Sequence, residues 1–123
     1  MGNVFCNTYL MDIIITKGDT LSFCFQIQGL GSGVLPDEIY FACKEQPEDN
    51  NYVFKKTLED GISLIDYDEE KDILTYAVNV APADTETAKL GKDFYDLSVH
   101  VAGNVYTFMK GRFNITWEVN ENA

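Results

Sequence analysis

The chain has 123 residues, which suits one domain with a core large enough to fold without a metal or disulfide staple. Nine lysines and arginines face 20 aspartates and glutamates, and the net charge of −11 argues against nucleic-acid and membrane-surface binding because anionic phosphates would be repelled. No apolar run is long enough to span a bilayer, and the N-terminus lacks the basic and apolar regions of a secretion signal.

Apolar residues alternate with polar ones along most of the chain, which is the pattern of half-buried strands. In chain order, the pattern predicts strands over residues 9–16, 20–28, 38–44, 52–58, 62–66, 73–80, 93–102, 105–110 and 112–119. The first is almost continuously apolar and is predicted to be covered on both faces. One short helical turn is predicted near residues 82–90, where Pro82 stands at the start and Gly91 follows the end.

Short, regularly spaced strands with little helix are typical of a β-sandwich or a β-barrel. We predict an all-β fold, an immunoglobulin-like β-sandwich of about eight or nine antiparallel strands. By analogy, Gly91 and Tyr95 fit the turn and tyrosine strand with which such sandwiches cross from one sheet to the other. The whole chain, 1–123, is predicted to be a single domain with flexible tails at 1–8 and 120–123.

Residues suited to catalysis are sparse. The single histidine, His100, occupies a polar-face position of a predicted strand and is interpreted as a surface imidazole, with a Cys–His pair as the alternative. The sequence contains no Walker, GxGxxG or GxSxG motif. We therefore predict that the protein is not an enzyme and has neither catalytic residues nor a cofactor.

The cysteines are odd in number and form no CxxC pair; they are Cys6, Cys24 and Cys43. Cys24 and Cys43 lie in predicted strands, where a free cysteine behaves as a small hydrophobic residue. This indicates reduced thiols, with a Cys24–Cys43 bridge as the alternative.

An acidic segment over residues 66–72 has carboxylates at alternate positions, and oxygen ligands of this kind suit calcium. The candidate metal ligands are Asp66, Asp68, Glu70 and Asp72. Lys71 stands where a calcium-binding EF-hand loop requires glycine, and no helices flank the segment. A solvated turn between two strands is therefore the preferred interpretation, and no metal is predicted.

Several aromatic residues fall outside the clearest inward-facing sets, namely Tyr40, Tyr52, Phe54, Phe94, Tyr106 and Phe108. If exposed together, they would form a patch suited to protein contact or to stacking against sugars. If the strands that carry them are covered on both faces, they belong to a thicker core instead. The sequence leaves both possibilities open.

A set of motifs in a fixed order carries a family resemblance. These are Ile15-Thr16-Lys17-Gly18-Asp19-Thr20-Leu21, Ile39-Tyr40-Phe41-Ala42-Cys43-Lys44, Phe54-Lys55-Lys56, Asp60-Gly61-Ile62, Ala81-Pro82-Ala83-Asp84-Thr85, Leu90-Gly91, Tyr95-Asp96-Leu97, Val105-Tyr106-Thr107 and Gly111-Arg112-Phe113. Together they resemble the small immunoglobulin-like domains of tailed-bacteriophage and prophage structural proteins, such as the N-terminal domain of the baseplate upper protein. The resemblance spans residues 11–119.

This resemblance implies a non-catalytic structural or assembly role in a phage head, tail or baseplate. It implies contacts with other phage structural proteins or with further copies of this chain, and a location in the virion or the host bacterial cytoplasm. Baseplate proteins continue into further domains, whereas this sequence stops at Ala123, as a stand-alone version would. The alternative function is that of a carbohydrate-binding β-sandwich module that uses the aromatic patch, with or without calcium.

Overall fold

The computed structural model describes residues 8–117, so Cys6 and nearly all of the two predicted tails lie outside it. In chain order the elements are β1 (Tyr9–Leu10), β2 (Ile13–Thr16), β3 (Leu21–Gln28), β4 (Glu38–Lys44), β5 (Phe54–Leu58), β6 (Gly61–Asp68), β7 (Ile73–Val80), α1 (Pro82–Thr85), β8 (Gly91–Val101) and β9 (Asn104–Thr116). The strands form one mixed sheet that curls into a half-barrel. The all-β prediction is confirmed.

The sheet consists of two antiparallel groups of strands. The three-stranded half runs in the order β3, β7, β6, and the four-stranded half runs in the order β5, β4, β8, β9. Only two parallel residue pairs, Thr57 with Gly61 and Leu58 with Ile62, join β5 to β6. The halves therefore meet at a short junction, around which the sheet can bend.

The prediction that all strands are antiparallel was wrong. Both β1 and β2 pair in parallel with β9, and β5 pairs in parallel with β6. Alternation reports which face a side chain takes, and it carries no information on strand direction or partner. The predicted strand 105–110 and most of 112–119 also join into the single strand β9, with a register shift opposite Leu97 and Ser98.

The predicted strand 9–16 is divided at Met11 and Asp12. There the Met11 amide donates to the Lys110 carbonyl at 3.1 Å, and the Arg112 amide donates to the Asp12 carboxylate at 3.0 Å. The segment is not covered on both faces, because Ile14 is 72% exposed. As an edge segment along β9, it has an open outer face and needs no second cover.

The inner faces of the two halves pack on each other to form one core. Phe23 of β3 meets Phe41 of β4 edge to face, with ring centroids 5.3 Å apart. The fully buried side chains include Ile39, Phe41, Leu97, Val99 and Phe113 of the four-stranded half and Leu74, Val78 and Val80 of the three-stranded half. Each contributes roughly 1.5–3 kcal/mol relative to exposure, so this core holds the curled sheet together.

The seam between the β1–β2 junction and β9 is tight. The Tyr95 hydroxyl donates to the Met11 carbonyl at 2.5 Å, and a Cβ on Gly111 would lie 2.2 Å from the same carbonyl oxygen. In the tyrosine corner of immunoglobulin-like sandwiches, the hydroxyl bonds to a backbone group a few residues upstream. In this chain it reaches across to the first strands and fixes them beside β9.

The helical turn predicted over 82–90 forms only as α1, a single turn. Asp84 accepts a hydrogen bond from the Ala81 amide at 2.7 Å and makes a salt bridge of 2.7 Å with Lys56 of β5. Thr85 is fully buried, and its hydroxyl oxygen accepts from the Gly18 amide at 3.0 Å. In residues 8–117 no helix has the length and apolar character required to cross a membrane.

Candidate binding groove on the outer sheet face

A groove of about 920 Å³ lies on the outer face of the four-stranded half. Strand alternation builds it, because the neighbours of the buried Phe41, Tyr95 and Leu97 point outward. Its floor contains the small residues Ala42 and Ser98. It is lined further by Tyr40, Lys44, Tyr52, Lys55, Phe94, Asp96, His100, Lys110 and Arg112, with Leu10, Met11 and Asp12 at the β1–β2 edge.

The groove has the opposite charge character to the chain as a whole. Four of the nine lysines and arginines line it, together with only two of the 20 aspartates and glutamates. The four cationic residues are Lys44, Lys55, Lys110 and Arg112. Within residues 8–117 none of them has a carboxylate at salt-bridge distance. They form a site of net positive charge on an acidic protein, which we call the basic groove.

On the β4–β5 side of the basic groove, ammonium groups lie over tyrosine rings. The Lys55 Nζ is 4.5 Å from the centroid of Tyr40 and 5.0 Å from that of Tyr52. The Lys44 Nζ is 4.8 Å from the Tyr52 centroid. Such cation–π contacts contribute about 0.5–1 kcal/mol at exposed sites, enough to favour these positions while the ammonium N–H donors stay available.

On the β8–β9 side, the Arg112 guanidinium is fixed against the sheet. Its Cζ lies 4.0 Å from the centroid of the Phe94 ring. Its Nε donates to the Asp93 carbonyl at 3.2 Å, and one terminal nitrogen donates to the Lys92 carbonyl at 2.5 Å. Because a guanidinium has five N–H donors, this arrangement positions the charge and leaves donors for a carboxylate or phosphate.

Asp96 is the acidic residue at the centre of the basic groove. Partial desolvation raises the pKa of its carboxyl group, and the nearby Lys44 and Lys110 act in the opposite direction. It pairs across the sheet with Ala42 on one side and Lys110 on the other. Two carboxylates, those of Asp96 and Asp12, among four cations leave the groove positive.

His100 lies at the end of the basic groove, beside Tyr40 and Glu38. Its ring meets that of Tyr40 edge to face at 5.1 Å, and its Nδ1 is 4.0 Å from the Glu38 carboxylate, to which the Tyr40 hydroxyl donates. The hydrogen bond to Glu38 raises the Tyr40 pKa. Cys43 is buried on the inner face of β4, where burial raises its thiol pKa.

The described cysteines are both free, so the Cys24–Cys43 bridge considered above does not form. Cys24 is exposed on β3 of the three-stranded half, whereas His100 lies on β8. Cys43 points into the core from the opposite face to His100. A nucleophile needs its base within hydrogen-bonding reach, and these placements do not provide one.

The structure brings together three of the six aromatic residues predicted to form a patch. Tyr40, Tyr52 and Phe94 all line the basic groove. Phe54 does not belong to a surface patch: it is 6% exposed and its ring packs 5.2 Å from Phe113. It begins β5 opposite the buried Cys43, and the pairing turns its side chain inward.

Tyr106 and Phe108 also lie away from the groove and pack against the core. Phe108 meets Phe25 of the opposite half with ring centroids 6.0 Å apart. The cause is the register shift in the β8–β9 pairing, where Leu97 pairs with Met109 but Ser98 pairs with Thr107. A bulge of this kind changes which residues point inward, and simple alternation does not anticipate it.

The acidic candidates of residues 66–72 do not converge on one point. The Asp68 carboxylate accepts from the Lys71 amide at 3.2 Å, and the Asp72 carboxylate accepts from the Gly31 amide at 2.7 Å. These two shape the turn, while Asp66 and Glu70 are exposed. In the described part of the chain, no group of three or more His, Cys, Asp or Glu side chains is placed to hold a metal ion.

Sequence reasoning missed the cationic residues of the basic groove. Their signal was present in the alternation, since Lys44 takes the same face as Tyr40, and Arg112 pairs with Phe94 across the sheet.

No protein-family model matches the chain, and no curated protein sequence is significantly similar to it. The groove is therefore interpreted from its own chemistry.

Proposed function

We propose that this protein is a non-catalytic binding module that acts through protein–protein contacts, with the basic groove as its contact surface. The observation that carries the proposal is the cluster of four unpaired cations and three aromatic rings on one open sheet face of a chain with a net charge of −11. Aromatic residues and arginine are enriched at the energetically important positions of protein interfaces. The small floor residues leave room for an incoming side chain.

The strand pairing supports an immunoglobulin-like organisation as part of this proposal. The three-stranded half corresponds to strands B, E and D of that fold, and the four-stranded half corresponds to G, F, C and C′. The β5–β6 junction, which joins the halves into one sheet, departs from two separate sheets. Domains of this architecture bind many unrelated partners, so the function has to rest on the groove itself.

We place the module in a phage-type particle on the strength of the sequence resemblance alone. In that setting, the partners would be other structural proteins of the particle or further copies of the chain. The basic groove supplies what such a role requires, namely a preformed surface on rigid strands that can orient a neighbouring subunit. Neighbouring genes for capsid or tail proteins would support this setting.

Carbohydrate binding is less well supported by the same groove. A sugar ring stacks on an open aromatic face, but here Lys55 covers Tyr40, and Arg112 covers Phe94. A neutral oligosaccharide would also leave the four cations unused. Anionic groups on a protein partner would use both the cations and the ring edges.

A titration followed by NMR tests the proposal on the whole chain. The probes are a short synthetic peptide of alternating glutamate and tyrosine, the same peptide with glutamine in place of glutamate, and a panel of neutral oligosaccharides. We expect the acidic peptide to shift backbone amides of β4, β8 and β9 around Ala42, Asp96 and Lys110. The glutamine peptide and the sugars should have little effect.

Two double variants complete the test. Lys44→Gln/Lys55→Gln should abolish the shifts, whereas the matched control Lys89→Gln/Lys92→Gln, which removes two exposed charges outside the groove, should retain them. Shifts with an oligosaccharide and none with the acidic peptide would replace the proposal with the carbohydrate-binding alternative. Peptide shifts that persist in the groove variant would show that the basic groove is not the contact surface.

A further inference from the structure

Resting on the proposed function, we infer that the basic groove receives the acidic β6–β7 hairpin of a second copy of this chain. The acidic hairpin is defined as residues 66–72, that is, the end of β6 and the turn before β7. It is the segment of this sequence with the densest run of carboxylates, five in seven residues. The contact would join copies head to tail.

The acidic hairpin presents carboxylates that have no cationic partner within residues 8–117. Asp66, Glu69 and Glu70 are exposed and take part in no salt bridge there. Asp68 and Asp72 are occupied in shaping the turn through their hydrogen bonds to backbone amides. The hairpin is therefore a rigid support that holds free carboxylates outward, and little ordering is lost when it docks.

The hairpin also offers apolar contact area beside its charges. Ile65 is 56% exposed and Tyr67 is 37% exposed, although both lie in a strand. The register shift between Leu64 and Asp66 interrupts the alternation at this point of the strand. An exposed tyrosine flanked by carboxylates complements a groove that combines lysines, arginine and aromatic rings.

The positions of the two surfaces determine the type of assembly. The tip of the acidic hairpin is tied to the loop after β3, since the Gly29 amide donates to the Asp72 carbonyl at 3.1 Å. No residue of β6 or β7 lines the basic groove, which belongs to the four-stranded half. The two surfaces lie on different halves of the sheet, so we expect a heterologous contact, in which each copy uses its basic groove for one neighbour and its acidic hairpin for another and a ring or an open chain of copies results.

Net repulsion between two copies of charge −11 opposes this contact but does not prevent it. At an ionic strength of 0.15 M the Debye length is about 8 Å, so charges far from the interface are screened. Charges in direct contact, such as Lys44 or Lys55 against Glu69 or Glu70, are screened much less. Association should accordingly weaken when salt is raised to molar concentration.

Analytical ultracentrifugation of the full chain tests the inference with three double variants. The groove variant is Lys44→Gln/Lys55→Gln, and the hairpin variant is Glu69→Gln/Glu70→Gln. The control, Glu48→Gln/Glu86→Gln, removes two exposed acids outside the hairpin. We expect concentration-dependent species larger than a dimer for the wild type and the control, and association weakened by about tenfold or more in both other variants.

Mixing the groove variant with the hairpin variant gives the decisive result. The groove variant retains the acidic hairpin, and the hairpin variant retains the basic groove. A one-to-one complex between them should therefore form and grow no further. A two-fold groove-to-groove contact would not be restored by mixing, and that outcome would overturn the inference. Thermal melts that match the wild type show that each variant is folded.

The inference and the proposed function fail in different ways. A wild-type chain that stays monomeric at millimolar concentration, yet binds the acidic peptide in its groove, would overturn self-assembly and leave the contact function intact. A chain that neither assembles nor binds the peptide would overturn both. Assembly that is unchanged by the groove and hairpin substitutions would place the interface elsewhere.

Discussion

The outer faces of the two halves show how one strand pattern yields two different surfaces. On the four-stranded half, cations and aromatic rings surround a floor of small residues. On the three-stranded half, the outward side chains of β3 are uncharged, and the Ser22 hydroxyl donates to the Asn79 side-chain oxygen at 2.7 Å. The groove face has unpaired positive charge available to a partner, whereas the outward face of β3 is uncharged and the acidic charge of the three-stranded half is concentrated at the β6–β7 turn.

The inner faces of the halves, in contrast, are alike. Phe41 in the four-stranded half and Val78 in the three-stranded half are both fully buried, and aromatic contacts such as Phe23 with Phe41 join them. Packing therefore sets the fold in both halves but does not distinguish their roles. The distinction lies in the outward-facing residues, which the core does not constrain.

The largest expected change in stability comes from a substitution at the seam where β1 and β2 meet the four-stranded half. Gly111→Ala would place a Cβ 2.2 Å from the Met11 carbonyl oxygen, so the junction has to move. We expect a loss of about 3 kcal/mol in the free energy of unfolding, measured by urea denaturation. Gly103→Ala is the control, because its Cβ meets no atom within 4 Å and only the positive φ of 80° is strained, at a cost of about 1–2 kcal/mol. A smaller loss for Gly111→Ala than for the control would contradict the role of the seam.

The next effect compares one buried tyrosine in each half. Tyr95→Phe removes the hydroxyl that donates to the Met11 carbonyl. We therefore expect the free energy of unfolding to fall by about 1.5 kcal/mol at neutral pH. Tyr76→Phe, in the three-stranded half, is the control, since the Tyr76 hydroxyl has no hydrogen-bond partner within residues 8–117. Equal losses in the two variants would show that the Tyr95 bond adds nothing.

The pH dependence of the unfolding free energy provides a second test of the role of Tyr95. Burial, with a contribution from Asp12, raises its pKa from 10.0 to about 12. Because the folded-state pKa is raised, the stability that this group contributes is fully present below pH 10.0 and is lost as the pH rises through about 12. Unfolding free energies measured from neutral to alkaline pH should fall less steeply for Tyr95→Phe than for the wild type.

A smaller effect concerns the buried carboxyl group beneath the basic groove. Burial raises the pKa of Asp93, Glu45 adds to the rise, and Arg112 opposes it. A raised folded-state pKa means that the contribution to stability is present below the ordinary value of 3.8 and is lost as the pH increases through the folded-state pKa. Asp93→Asn should therefore be more stable than the wild type at pH 7 and show no such gain at pH 3. Asp19→Asn, at an exposed position, controls for the change in net charge, and an equal gain there would refute the burial effect.

The sequence was sufficient to predict which residues form strands in much of the chain. The bounds of β4 and β7 match the predicted strands 38–44 and 73–80. Strand direction, the division of 9–16 and the inward positions of Tyr106 and Phe108 were missed, since they depend on pairing partners and on a bulge. The basic groove was half predicted: its rings were singled out, but its cations lie on three strands that only the sheet brings together.

Two substitutions with very small expected effects on stability distinguish the outer faces of the two halves by their effects on binding. Lys55→Gln in the basic groove and Ser22→Ala on β3 should each change the free energy of unfolding by about 0.5 kcal/mol or less, because neither side chain is part of the core. Their effects on binding should differ: Lys55→Gln should weaken acidic-peptide binding severalfold, since the ammonium held over Tyr40 and Tyr52 is lost. Ser22→Ala should leave binding unchanged. Equal binding by both variants would mean that the charge difference between the outer faces has no functional consequence, whereas a loss confined to Lys55→Gln would assign binding to the four-stranded half.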